Sequence, residues 1–346
     1  MLSLSSPDQL VPANHPLRPL KQLADAALAD LEPVFDAMYS SEGRPSIPPE
    51  RLLKATLLMA LYSVRSERLF CEQLGYNLLF KWFLDMEIAD EPFNHSTFSK
   101  NRARMMEADA AGQFFAAVVA QARKRKLLSS EHFSVDGTLI EAYASMKSFR
   151  PRTDDDDRDG NGWADFKGTT RSNETHESKT DPDAKLTRKG KGRESKLAFV
   201  ANGLIENRNG LLVGFRVDVA SGRAEREGAI DLLDDALPGG RRITLAADRG
   251  YDTAGFVEEC RARHVIPHVA QNVSGRRSAI DRRTTRHPGY RASQQIRRRI
   301  EQVFGWMKSA ANFRKSRYRG RDRTHFFATL VAASYNLLRI SRLAHA

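Results

Sequence analysis

The sequence predicts an all-helical N-terminal segment followed by a mixed α/β domain, one sheet with flanking helices. Three observations predict it. Apolar residues recur at three- and four-residue steps up to about residue 130. From residue 131 short apolar strands alternate with helical stretches. At 346 residues, 41% apolar and 28% charged, the chain is long enough for two domains and can bury a sizeable core.

In the first segment, Pro48-Pro49-Glu50 gives a helix start, with proline tolerated in the first turn and an acid at the positive dipole end. Leu53, Leu57, Ala60, Leu61 and Val64 then form one stripe. Further helical patterns run through Leu69, Phe70 and Leu74, and through Leu79, Phe80 and Phe83. Asn94 or Ser96 can cap a helix over 97–107 that carries Lys100, Arg102 and Arg104. Phe114, Phe115, Val118, Val119 and Ala122 stripe another, which ends on four basic residues, 123–126.

Beyond residue 130, 132–137 is a short strand running into an Asp-Gly turn. Residues 197–206 and 211–219 are strands joined by Asn207-Arg208-Asn209-Gly210, a hairpin signal. Helices are expected over 225–237, 253–264, 294–313 and 324–343, with buried strands at 243–248 and 265–270. The stretch 150–193 differs, since only Trp163, Ala164, Phe166, Ala184 and Leu186 of its residues are apolar. It reads as a mobile insertion, about 147–195, that cannot bury enough surface to offset its ordering entropy. The domains expected are 1–130, helical, and 131–346, catalytic.

Charge separates along the chain. Residues 261–346 carry twenty Lys or Arg against three acids, while the rest carries thirty-five against forty. A basic third on a slightly acidic remainder points to a polyanion such as nucleic acid. Two cysteines, Cys71 and Cys260, exclude a disulfide framework and a cysteine zinc site. The longest apolar run, 55–62, is far below the roughly 20 residues that span a bilayer. No signal peptide is expected and the cytoplasm is the expected compartment. His264 and His268 flank a helix end and Pro267, so no zinc pair is read there, and the acidic run at 154–159 reads as a solvated loop.

Asp136 and Asp248 each end a predicted strand before a Gly-containing turn, where open α/β sheets present functional side chains. Either alone could equally be a turn-forming aspartate. On the 294–313 helix, Ile296, Ile300, Val303 and Met307 form an apolar seam. Arg297, Glu301 and Lys308 fall within about 40° of one another beside it, at about 100° per residue. Alone, that strip could be a surface ion pair. Two strand-end aspartates and a helical glutamate together make a set of hard oxygen ligands suited to Mg²⁺. Two such ions could drive phosphodiester displacement, with Arg297 and Lys308 holding phosphates.

These residues resemble a family. Asp136 in SVDGT, Asp248 in LAADRGYD and Glu301 in RRRIEQVFGWMK look like the DDE triad of bacterial insertion-sequence transposases, nearest the insertion-sequence-five (IS-five) family. Arg297, Glu301 and Lys308 match its Arg-x3-Glu-x6-Lys spacing, and Asp248 to Tyr251 match the Asp-x-Gly-Tyr/Phe turn. Gln294 stands where that signature has Tyr. Similarity extends through PSIPPERLLKATLLMALYSVRSERLFCEQL, FNHSTFSKNRAR, DPDAKLTRKGKGRESKLAFVANGLIENRNGLL and AEREGAIDLL, over roughly residues 40–340. The resemblance implies a ribonuclease-H-like catalytic fold that cuts transposon ends and joins the freed 3′ ends to target DNA. It also implies Mg²⁺ (or Mn²⁺) on Asp136, Asp248 and Glu301.

An arginine-rich tract that includes Arg276, Arg277, Arg297, Arg298, Arg314 and Lys315 reads as a phosphate-binding face, and 97–107 as a candidate recognition helix. Pairing two transposon ends calls for a homodimer on DNA, in a bacterial nucleoid. Trp163 and Trp306 could stack on an unpaired base, Trp306 more readily packing beside its seam. Two rivals stand beside a transposase: a DNA-binding regulator with a silent site, and a metal-dependent nuclease without joining activity.

Overall fold

The computed structural model describes residues 6–38, 47–152, 171–190, 192, 194–237 and 242–344. Eight helices come first: α1 (Pro7–Leu10), α2 (Leu17–Ala29), α3 (Glu32–Met38), α4 (Pro49–Leu61), α5 (Glu67–Tyr76), α6 (Leu78–Phe83), α7 (Ser96–Glu107) and α8 (Ala110–Lys124). Proline opens α4 as expected, and the Asn94 side chain accepts from Ser96 N at 2.9 Å before α7. The apolar spacing in 17–38 that forms α2 and α3 was not singled out from sequence; Leu20, Leu23, Ala24, Ala27, Leu28 and Phe35 are all buried there.

The sheet is built from β1 (His132–Glu141), β4 (Lys185–Thr187), β5 (Lys196–Glu206), β6 (Leu212–Val219), β7 (Ile243–Ala247) and β8 (Val265–Val269). A separate ribbon pairs β2 (Phe149–Pro151) with β3 (His176–Ser178). Across the main sheet the order is β6-β5-β1-β7-β8. β5 runs antiparallel to both β1 and β6, and β7 and β8 run parallel to β1. Counted among these five core strands the order is 3-2-1-4-5, the ribonuclease-H-like topology. Helices α9 (Ala224–Ala236) and α10 (Ala254–Ala262) cover one face, packing with Phe133, Val135 and Leu245. After α11 (Arg282–Thr285) and α12 (Pro288–Ile296), helices α13 (Arg299–Ser309) and α14 (Arg321–Ala344) cover the other.

Three expectations change. The helix expected over 294–313 is two helices: α12 begins at Pro288 and ends at Ile296, and α13 runs Arg299–Ser309 after a turn at Arg297-Arg298, where Ile300 N and Glu301 N bond to the carbonyls three residues back. The strand expected to end at Asp136 continues to Glu141, because β5 keeps pairing with it as far as Ala198. In the insertion, residues 171–190 are built into the fold: β4 adds to the edge of β5, and Asn173 bonds both backbone groups of Leu186. Residues 153–170, with Trp163 and the acidic run, lie outside the described residues, and the expectation of a mobile insertion there falls on them.

One apolar core runs through both segments. Buried side chains of α2, α4 and α8 pack with those of α13 and α14 and with Ile140 and Phe199 of the sheet. Helix α14 is the shared wall, buried along most of its length, and Asn336 fixes its register. Its amide accepts from Leu212 N at 3.0 Å and donates to Leu212 O at 2.8 Å, so it completes the backbone bonding of β6's first residue.

Near its start α14 is tied to the sheet by His325, whose Nδ1 accepts from Val217 N at 3.2 Å. Burial holds this imidazole down at about 4, from 6.5. Between pH 6.5 and 4 the unfolded chain binds a proton that the folded chain refuses, so stability falls as pH drops through that window. His325→Asn, which keeps an acceptor but cannot titrate there, is expected to show a shallower fall of Tm from pH 6.5 to 4.5. Parallel Tm curves for the two proteins would remove this assignment.

Candidate active site

Parallel pairing of β1 with β7 ends at Ser134 and Ala246. Asp136 and Asp248 each lie two residues further on, one past the end of β7 and the other on the now uncovered edge of β1. Asp136 is therefore reachable because its neighbour stops, although its own strand does not. Each acid spends one oxygen on a following amide: Asp136 Oδ1 accepts from Gly137 N at 2.9 Å, and Asp248 Oδ1 from Gly250 N at 2.7 Å. Burial, then the charge of Asp248, pushes Asp136 up to about 7; the Gly137 amide and Arg297 pull the other way. Two facing carboxylates short of countercharge, with hard oxygens free, suit a divalent cation.

Side chains alternate along β1, so Asp136 and Thr138 share the face covered by α13. Lys308 Nζ donates to Thr138 Oγ1 at 2.6 Å. Burial, followed by the charges of Lys189 and Arg314, lowers this lysine to about 8. One turn earlier Phe304 lies over Gly203, the residue paired with Asp136; a Cβ there would stand 3.3 Å from its ring. Glu301 is exposed on the first turn of α13, between Arg297 and Lys308, both of which act electrostatically on Asp136. Asp136 and Asp248 are thus brought together, while Glu301 stands on the adjacent strip. Among the described residues no three His, Cys, Asp or Glu side chains already converge on one metal position.

The other expected residues fall at several places. Arg297 Nε donates to Gln294 Oε1 at 3.1 Å, and Gln294 in turn donates to His268 O, so the residue that departs from the Tyr signature anchors the arginine. Arg298 is exposed beside it. Arg276 and Arg277 lie exposed in the loop after β8, Arg276 donating to Asp252 O. Arg314 and Lys315 are exposed and continue the edge of β1, Glu141 N donating to Arg314 O at 3.1 Å. On α7, Lys100 and Arg104 are exposed. Arg102 instead pairs with Glu67 and stacks over Tyr318 at 4.5 Å, tying α7 to α5 and to the basic segment after α13. Trp306 packs on Tyr335, ring centroids 5.7 Å apart.

Sequence reasoning assigned no role to Glu225, Lys189 or Tyr251. Glu225 opens α9 inside the AEREGAIDLL segment, and the signal for it was Gly137, directly after the first acid. A Cβ at Gly137 would stand 2.6 Å from Glu225 Cγ. Lys189, exposed at the returning arm of the insertion, acts electrostatically on both Glu225 and Lys308.

A 3-2-1-4-5 mixed sheet with helices on both faces is the ribonuclease-H-like fold. Residues 129–337 match the family described as Transposase DDE domain, and residues 5–104 match Transposase domain (DUF772). The chain belongs to the transposase DDE domain family, and is a DDE transposase acting in DNA transposition. Among solved structures it is similar to the piggyBac transposase synaptic complex with hairpin DNA (TM-score 0.44, 9% identity, covering 95% of this chain and 76% of that one). It is also similar to a pre-cleavage Mos1 transpososome (TM-score 0.22, 9% identity, 81% and 83%) and a mariner Mos1 paired end complex with Mg (0.20, 10%, 88% and 81%). No curated protein matches the chain. Among the described residues no helix is long and apolar enough to cross a membrane.

Proposed function

We propose that this chain is a transposase of the IS-five kind that cuts phosphodiester bonds at the ends of its element and joins the freed 3′-hydroxyls to target DNA. The observation that carries the reading is the meeting of Asp136 and Asp248 under the Arg297–Glu301–Lys308 strip. Asp136, Asp248 and Glu301 would hold Mg²⁺, with Mn²⁺ able to substitute. Bound there, two divalent ions would supply an activated water or 3′-hydroxyl and stabilise the leaving oxygen.

The chain's own residues account for the rest. Lys308, half-buried against Thr138, is fixed in place to hold a phosphate of the scissile strand. Arg297, held by Gln294, does the same one helical turn before Glu301. Arg276, Arg277, Arg298, Arg314 and Lys315 extend a backbone-binding face whose affinity falls with salt. On α7, Lys100 and Arg104 are the residues that would read terminal repeats, while Arg102 positions the helix. Two ends require two active sites, so the working unit is a homodimer on DNA, acting in the cytoplasm at the nucleoid.

The test supplies the full chain with flanking inverted repeats in Mg²⁺, and separately with a pre-cut end bearing a 3′-hydroxyl plus target DNA. Cutting at the repeat ends and joined products are both expected. Cutting without joining would leave a nuclease; binding without either would leave a regulator.

A further inference from the structure

The acids of the site do not all lie on one side of the sheet. Helix α9 packs on the face opposite α13, and two glycines let its first turn come down close. At Gly228 an added Cβ would collide with the Asn202 amide, and at Gly137 with Glu225 Cγ and Asn202 Oδ1. Since Gly137 follows Asp136, its missing side chain is the gap through which Glu225 reaches the strand edge where Asp136 and Asp248 meet. Glu225 is mostly withdrawn from water, and after burial the charge of Asp248 is what most raises its carboxyl.

Two buried polar atoms beside it lack partners. The Tyr251 side chain is 0% exposed, its hydroxyl has no hydrogen-bond partner, and the charges acting most strongly on it are Glu225, Asp136 and Asp248. Asn202 Oδ1 is likewise buried and unpartnered. A fully buried, orphaned hydroxyl within electrostatic reach of three carboxylates costs about 1–3 kcal/mol unless something enters to be bonded. A glutamate at a helix start has an ordinary explanation in the helix dipole. That explanation accounts neither for the bare Cα at Gly137 nor for the orphaned hydroxyl.

We propose that Glu225 is a fourth carboxylate of the site, acting on the divalent ion that Asp136 and Asp248 would hold, with the Tyr251 hydroxyl donating to that assembly. The assignment rests on the reading of Asp136 and Asp248 as metal-holding residues. Glu225 acts from the α9 side, and Glu301 from the α13 side. Mg²⁺ and Mn²⁺ keep several waters, so Glu225 can act through one of them.

The experiment is calorimetric titration of Mn²⁺ into the full chain without DNA, for wild type, Glu225→Gln, Glu225→Asp, Tyr251→Phe and Asp136→Asn, with circular dichroism confirming each fold. Glu225→Gln is expected to weaken Mn²⁺ binding about tenfold or more, within the roughly 10–100-fold range of supporting ligands. Glu225→Asp, which keeps the charge but retracts it, should fall between, and Tyr251→Phe should lose a few-fold. Should Glu225→Gln misfold, Glu225→Asp carries the same test. Wild-type affinity in both Glu225 variants, with loss in Asp136→Asn, would overturn the fourth carboxylate and leave the catalytic reading standing. Undiminished Mn²⁺ binding by Asp136→Asn would overturn both.

Discussion

Glu301→Gln is expected to abolish cutting at the element's ends while leaving DNA binding within a few-fold of wild type. The substitution keeps length and shape and removes one anionic oxygen. Because the Glu301 side chain is exposed, the substitution is expected to leave the fold intact. As a ligand it should cost more than the roughly 10–100-fold lost with supporting residues around a metal. Its place on α13 makes the test discriminating. Arg297 and Lys308 flank it, and an acid between two cations on a helix surface can also be a plain ion pair worth a few tenths of a kcal/mol. Cleavage assays in Mg²⁺ beside filter binding separate the two. Equal cutting by both proteins would leave Glu301 an ordinary exposed surface acid, and the helical member of the triad would have to be sought elsewhere.

What the sequence made legible, and what it hid, follows from the range of the interactions involved. Periodicity and turn residues are local, and they placed the 225–237 helix and the 207–210 hairpin within a residue or two. Asp248 was legible because its strand and its turn are both local. The premise that singled out Asp136 was partly wrong. The Asp-Gly pair looked like the end of a strand, but β5 carries β1 on to Glu141, and what frees Asp136 is the end of β7 more than a hundred residues later. The role proposed for Glu225 stayed hidden because it depends on how closely α9 lies on Gly137, a non-local fact. Arg102 shows the reverse error. Its charge suggested a DNA contact, whereas Glu67 and Tyr318, distant in sequence, claim its guanidinium. The composition of 150–193 pointed to a weak core, yet pairing with β5 builds 185–187 into the sheet.

Glu206→Gln is expected to cost about 2–6 kcal/mol of stability, a loss out of proportion to the single atom changed. Glu206 is 0% exposed and stands at the root of the Asn207–Gly210 turn. Its Oε1 accepts from Asn209 N at 2.7 Å and Leu211 N at 3.1 Å, and its Oε2 from Arg208 N at 2.9 Å and Ser129 N at 3.0 Å. Gln replaces one acceptor oxygen by a donor. Two buried amides then face another N–H, each costing about 1–3 kcal/mol. Gly210, at φ 73°, closes the turn that this carboxylate organises. The same turn holds distant elements: Asn209 Nδ2 donates to Leu127 O at 2.6 Å, Arg339 Nε to Asn209 O at 2.9 Å, and Arg299 Nη1 to Asn207 O at 2.7 Å. Arg299 opens α13 two residues before Glu301, so the turn also sets where that acid stands. Urea unfolding should therefore show a lower midpoint at unchanged slope. Cleavage by the folded fraction should fall as well, because the α13 anchor loosens. A variant within 0.5 kcal/mol of wild type would mean that the four amides find other acceptors and that the carboxylate is not what shapes the turn.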